Sequence, residues 1–153
     1  MTLWILDTDH ISLWQRQHTP LLTKLDRIGI ENIAITVITV EEQFRGRLDM
    51  VRRANSEISR ISAYGWIRET TLFLRQIPQI LAWNPDAERI YGELKQRRIR
   101  IGSQDLRIAA IVLASGGTVV RLFPRKRIPC KIKAWRLKPQ LHEQNLPPQV
   151  KSS

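Results

Sequence analysis

Short apolar runs alternate with stretches of helical periodicity over the first 120 residues. The runs predict four strands, two of them buried at residues 3–6 and 33–36, and two more at 80–83 and 118–120. Apolar positions spaced by three and four predict helices between them, over 13–28 with a break near Pro20, over 48–77 as a pair divided at Gly65-Trp66, over 85–97 and over 106–114. This alternation predicts an α/β sandwich, with a central, mostly parallel sheet flanked by helices.

The composition suits one folded domain. A chain of 153 residues with 42% hydrophobic residues can bury one core. We expect the domain to span residues 1–135 and a basic, proline-containing, disordered tail to span 136–153. A single cysteine, Cys130, favours a reducing compartment. With no signal peptide and no long apolar run visible, we expect a cytoplasmic protein without membrane contact.

The charge is concentrated at one end of the chain. The net charge is +11, and residues 121–153 supply +8 of it, with nine Lys or Arg and one acid, Glu143. A surface this basic favours contact with a nucleic acid. Four side chains are candidates for binding the RNA backbone, Arg121, Arg125, Lys126 and Arg127. The alternative is a solvated basic tail with no specific partner.

Three acids lie where a parallel sheet places its ligands, beyond the carboxyl ends of the strands. Asp7 follows the first predicted strand, Glu42 follows the second, and Asp105 lies in the first turn of the helix after Gly102. Carboxylate oxygens are the ligands that Mg²⁺ and Mn²⁺ prefer, and Mg²⁺ takes only one or two of them while keeping several waters. The pattern therefore fits a site that cuts phosphodiesters with a metal-activated water.

Each acid also has a purely structural interpretation. Asp7 and Asp9 could cap the first helix, with Asp9 the predicted N-cap. Glu42 fits a capping box that begins at Thr39. Asp105 could do no more than favour the positive end of its helix dipole. Spacing alone leaves both interpretations open. The charge of Asp7 directly follows an apolar strand, however, and is costly there unless it is paired, capped or bound to a metal.

Three segments resemble the leading motifs of PIN-domain toxins of the VapC type. They are LDTDHIS at residues 6–12, ITVITVEEQFRG at 35–46 and IGSQDLRIAA at 101–110. The resemblance covers roughly residues 2–120. It implies a PIN-like three-layer sandwich, a ribonuclease activity that depends on Mg²⁺ or Mn²⁺, a cognate antitoxin and often a homodimer.

The resemblance also assigns roles to residues. Carried over position by position, it makes Asp7 and Asp105 metal ligands and Glu42 a ligand or the residue that orients the metal-bound water. Three further residues would support the site, Asp9, Thr8 and Ser103.

The chain departs from the family pattern after Val120. The family continues with a fourth acid, whereas no acid occurs here between Asp105 and Glu143. A local change of reading frame near codon 121 would account for this departure, and the coding DNA tests it. The departure leaves two rivals to an active toxin: an impaired PIN-fold remnant that binds antitoxin or RNA without efficient cleavage, and a basic nucleic-acid-binding module whose acids are only caps.

Overall fold

The protein folds as four short strands separated by helices. The structure is a computed structural model that describes residues 3–99, 101–116, 118 and 119. The strands are β1 (Trp4–Leu6), β2 (Ile33–Thr36), β3 (Gln79–Leu81) and β4 (Thr118–Val119). The helices are α1 (Thr8–Gln15), α2 (Thr19–Ile28), α3 (Val37–Arg53), α4 (Glu57–Leu74), α5 (Pro85–Gln96) and α6 (Ser103–Ala114), with one 3₁₀ turn at Ile30–Asn32.

The strands form one sheet in the order β3-β2-β1-β4, and each neighbouring pair is parallel. β1 and β2 are central, with Leu6 paired to Ile35 and Ile5 paired to Ala34. These four side chains are at most 1% exposed. Strands that are buried on both faces consist of unbroken apolar runs. The positions of β1 and β2 could therefore be predicted well from the sequence.

Helices cover both faces of the sheet. Leu6, Ile33 and Ile35 pack on one side with buried residues of α1, α2 and α4 and with half-buried residues of α3. Ile5 and Ala34 face the other side, where they pack with Val112 of α6. α5 packs on α6 through residues that include Leu94 and Leu106. The predicted three-layer α/β sandwich is confirmed.

The long helical region is divided elsewhere than predicted. The break lies at residues 54–56, and α4 runs without interruption through Gly65-Trp66. Ser56 begins α4 with a capping box, in which its side chain accepts from the Ser59 N–H and the Ser59 hydroxyl accepts from the Ser56 N–H. The prediction at Gly65 was wrong because Ala63, Thr70 and Leu74, all buried, hold the helix together across the glycine.

Several sequence predictions lie outside the described residues. They are the tail from residue 136, the surroundings of Cys130, the basic side chains at 121 and 125–127, and the segment where a fourth acid is missing. Across the residues that are described, no helix combines the length and apolar character needed to cross a membrane.

Candidate metal centre

The sheet topology brings the starts of three helices to one edge. β1 and β2 are parallel and in register, so Asp7 and Thr36 both lie at the carboxyl edge of the sheet. α3 starts there directly after Thr36. α6 leads into β4, which runs parallel to β1, so its first turn with Asp105 belongs to the same edge. This is where ligands bind in open α/β sheets.

Asp7 is the N-cap of α1. Its Oδ1 accepts the His10 backbone N–H at 3.0 Å and lies 2.5 Å from His10 Nδ1. The imidazole of His10 is only 4% exposed, so this contact fixes the carboxylate from the protein side. The prediction that Asp9 is the cap was wrong, since β1 ends at Leu6 and Asp9 falls in the first turn, exposed. The capping interpretation of Asp7 is confirmed, and capping does not exclude metal binding.

Glu42 is joined to this loop by Thr8. The Thr8 hydroxyl donates to Glu42 Oε2, a contact between residues 34 positions apart. The neighbouring Gln43, 5% exposed, brings its side-chain Nε2 to 3.5 Å from the Thr8 carbonyl. Two of the three predicted acids are therefore linked through Thr8, one of the predicted supporting residues.

The capping-box interpretation of Glu42 is wrong. The N-cap of α3 is Thr36, whose Oγ1 accepts the Thr39 N–H at 3.2 Å. The helix starts at Val37, so Thr39 is its third residue and Glu42 lies in its second turn, beyond the orphan N–H groups that a cap satisfies. Helix capping therefore does not explain the Glu42 carboxylate, which contacts Thr8 instead.

Asp105 stands in the first turn of α6, as predicted. The N-cap of this helix is Gly102, which has no side chain to cap it, and Ser103 is the first helical residue. Asp105 Oδ2 lies 3.5 Å from the point where a Cβ on Gly102 would stand. The carboxylate is exposed and favours the positive end of the helix dipole.

The three predicted acids are carboxylates, the ligand type that hard divalent cations prefer. Over residues 3–99 and 101–116, no three His, Cys, Asp or Glu side chains are close enough to form a ready-made metal cage. Zinc sites need three or four such ligands, so the described residues do not provide one. Glu42 is joined to the Asp7 loop by Thr8, Asp105 lies at the same edge, and carboxylates of this kind could hold Mg²⁺ or Mn²⁺.

The sequence patterns did not single out Arg47, which lies five residues after Glu42 on α3. Arg47 on α3 donates through Nε to Thr70 Oγ1 at 2.9 Å and through Nη2 to Gln15 Oε1 at 3.0 Å, and its guanidinium lies 4.8 Å from the Trp66 ring centroid. Burial, and then the charge of Arg16, hold the pKa of Arg47 below its ordinary value. The network ties α1 to α3 and α4, so it fixes the two helices that carry Thr8 and Glu42. The network joins residues far apart in the sequence, so local sequence patterns could not predict it.

Comparison with solved structures supports the same architecture. The chain matches VapBC2 from Rickettsia felis bound to a DNA fragment from their promoter, with 23% identity, a TM-score of 0.56, and 78% of this chain and 87% of the other covered. It matches FitAB bound to an IR36 DNA fragment with 23% identity, a TM-score of 0.55 and coverage of 76% and 82%. It matches FitAcB from Neisseria gonorrhoeae with 23% identity, a TM-score of 0.57 and coverage of 76% and 85%.

No protein-family model and no curated protein matches the chain. At 23% identity the structural matches show the fold and not the chemistry of the site. The resemblance found in the three sequence motifs is thus confirmed at the level of fold: the chain has the PIN-like α/β sandwich shared with these structures.

Proposed function

We propose that this protein is an endoribonuclease that depends on Mg²⁺ or Mn²⁺ and is the toxin of a type II toxin–antitoxin system. Asp7, Glu42 and Asp105 hold the cation. The observation that carries the proposal is the link between the Asp7 loop and Glu42 through Thr8, at the sheet edge where α6 begins. Helix capping accounts for the position of the Asp7 carboxylate, but it does not account for that of the Glu42 carboxylate.

Each residue has a definite task in this proposal. Asp7 is held by His10 on one oxygen, so its carboxylate is positioned before any ligand arrives. Thr8 orients Glu42. Asp9 and Ser103 support the loops on either side. A cation held by Asp7, Glu42 and Asp105 would supply an activated water and offset negative charge on the scissile phosphate.

The partners follow from the charge and from the fold. A net charge of +11 favours RNA, and the segment with Arg121, Arg125, Lys126 and Arg127 would contact its phosphates. The matched structures are of toxin–antitoxin complexes, so we include a cognate antitoxin that docks on α3 and α4 and blocks the site. The proposal also includes assembly as a homodimer and a location in the cytoplasm.

Cleavage of a labelled single-stranded RNA by the full chain tests the activity. We expect cutting with Mg²⁺ or Mn²⁺ and none after EDTA, because the carboxylates alone provide neither the activated water nor the charge compensation. Restoring Mn²⁺ after EDTA should restore cutting. Cutting that survives EDTA, or a chain that is inert with both cations, would overturn the proposal.

One specific observation favours a second candidate, the impaired remnant that binds antitoxin or RNA. No acid occurs between Asp105 and Glu143, and the three predicted acids do not form a closed ligand set in the described part of the chain. A chain that binds the RNA in a filter assay but leaves it intact with either cation would favour the remnant.

The third candidate, a basic nucleic-acid-binding module, predicts RNA binding that substitutions of Asp7 and Asp105 leave unchanged.

A further inference from the structure

Basic residues are concentrated where α5 leads into α6. Residues 95–107 hold five Lys or Arg and one acid, Asp105, which is a net charge of +4. The rest of residues 1–120 carries a net charge of −1. The positive charge of the first 120 residues therefore comes from the segment that ends α5 and begins α6.

This segment lies beside the candidate metal centre. Residues 97–102 join the end of α5 to the start of α6, at the sheet edge where Asp105 lies. α5 also packs on α6 through Leu94 and Leu106, which keeps the two helix ends next to each other. Cations at the end of α5 and the start of α6 therefore lie at the same edge of the sheet as the three predicted acids.

One aromatic ring holds two of these cations. Lys95 Nζ lies 5.4 Å from the centroid of the Tyr91 ring and the Arg107 guanidinium lies 5.9 Å from it, both within the range of cation–π contacts. Tyr91 is itself half-buried against Trp83, with ring centroids 5.4 Å apart. Arg107 also donates to Gln104 Oε1 at 3.3 Å, so its side chain turns back towards the start of α6. The ring thus brings a lysine of α5 and an arginine of α6 to one place on the surface.

These two cations are not neutralised by any carboxylate in the described part of the chain. Elsewhere on α5, Arg89 pairs with Glu93 at 2.8 Å and with Asp86 at 3.5 Å, an ordinary exposed arrangement of surface charges. Lys95 and Arg107 form no ion pair with a described Asp or Glu. Their charge is therefore available to an external anion.

Helix dipoles do not account for the whole cluster. Cations are favoured near the C-terminal end of a helix, which suits Lys95 in the last turn of α5. Arg107 lies instead near the N-terminal end of α6, where the dipole favours acids. Arg98 stands just beyond α5 with a φ of 49°, a left-handed conformation that glycine or asparagine usually adopts at this place. An exposed cation thus occupies this position in spite of the backbone strain.

We infer that the phosphate backbone of single-stranded RNA binds to Lys95, Arg98 and Arg107, on the α6 side of the metal centre. The inference rests on the proposed ribonuclease function and deepens it by naming side chains that hold the substrate. RNA is favoured over an acidic protein segment because the surface borders the site proposed to cut RNA. Tyr91 acts as a scaffold, since its ring already contacts two cations. Phosphate contacts carry no sequence information, so the surface fixes how the strand lies and not which sequence is cut.

The salt dependence of RNA binding by the full chain tests this surface. In filter assays with EDTA, the logarithm of the affinity for a single-stranded RNA should fall with the logarithm of the salt concentration, by about 0.7 for each phosphate contact. Lys95→Gln combined with Arg107→Gln should reduce that slope by about 1.4 and weaken binding at least about tenfold at about 0.1 M salt. With Mn²⁺, the double variant should raise KM for cleavage more than it lowers kcat.

Arg89→Gln is the matched control for a single charge change. Arg89 is on the same helix and exposed, but its charge is already paired within α5. We expect this variant to keep the salt slope and the RNA affinity of the natural chain.

Two further variants separate phosphate binding from a structural role. Arg107→Lys keeps the positive charge and should keep the salt slope. Arg98→Gly relieves the left-handed backbone, so the protein should be at least as stable to urea while the slope falls by about 0.7. The double variant should also bind Mn²⁺ as the natural chain does, because neither Lys95 nor Arg107 is a metal ligand.

The outcomes distinguish this inference from the proposed function. A double variant with the slope, affinity and KM of Arg89→Gln would overturn the inference, and metal-dependent cleavage by the natural chain would still stand. A chain that neither binds nor cuts RNA would overturn the proposed function and the inference with it. A double variant that keeps its affinity for RNA but loses affinity for a peptide of glutamates would assign the surface to an acidic protein segment instead, and so overturn the inference.

Discussion

We expect Asp7→Asn to reduce RNA cleavage strongly while leaving the fold in place. Asparagine is as good an N-cap as aspartate, so α1 keeps the hydrogen bond from the His10 N–H. What is lost is the negative charge that would hold the cation in the proposed site. We expect cleavage to fall at least about 100-fold, because even partners outside the ligand shell of a metal cost about 10- to 100-fold when removed. Initial cleavage rates with Mn²⁺ measure the change.

The matched control is Asp26→Asn. Asp26 is an exposed carboxylate in the last turns of α2, just before the chain enters the amino end of β2, away from the edge where Asp7 lies. The two variants change the net charge equally, so any general loss of attraction for RNA affects both. If both cleave equally well, Asp7 is only a helix cap and the proposed site is wrong.

Ile35→Ala should produce the largest loss of stability. Ile35 is in the central strand β2, fully buried, and belongs to the cluster between the sheet and the helices of one layer. Removing its side chain forfeits the burial of three methylene or methyl groups and leaves a cavity, at a cost of about 3–4 kcal/mol in the free energy of unfolding. That is a large part of the roughly 5–15 kcal/mol that domains possess. Urea denaturation measures it.

Ile30→Ala provides the comparison for this loss. Ile30 is 45% exposed on the 3₁₀ turn, where truncation removes little burial, and we expect a change of about 0.5 kcal/mol or less. The denaturant slope should be the same for both variants, since neither alters the surface exposed on unfolding much. Equal losses at the two positions would contradict the layer assignment of β2.

Local patterns located the strands and the acids but misplaced helix starts. Asp7 and Asp9 are both good N-caps, and only the end of β1 at Leu6 decides for Asp7. At α3, Thr36 and Thr39 are likewise both possible N-caps. Thr36 is the cap because the buried strand β2 extends to Thr36 and the helix starts directly after it. A cap is a short-range signal that several neighbouring residues can satisfy, so tertiary structure selects among them.

Contacts between distant segments were beyond prediction from one sequence. The Thr8–Glu42 hydrogen bond depends on β1 and β2 being neighbours, and the strand order does not follow from periodicity. The Arg47 network likewise depends on how α1, α3 and α4 pack. Glycine weakens an isolated helix, which predicts a break at Gly65, whereas packing of the opposite face of α4 outweighs that weakness.

Binding of Mn²⁺ tests the central claim most directly, because it asks whether the three acids hold a cation independently of RNA, antitoxin or turnover. Isothermal titration of the full chain should show a Mn²⁺ site that Mg²⁺ competes for. Asp7→Asn and Asp105→Asn should each weaken this site at least about tenfold, while Asp26→Asn leaves it as it is. A chain that binds no Mn²⁺, or binds it equally well in all three variants, would contradict the account.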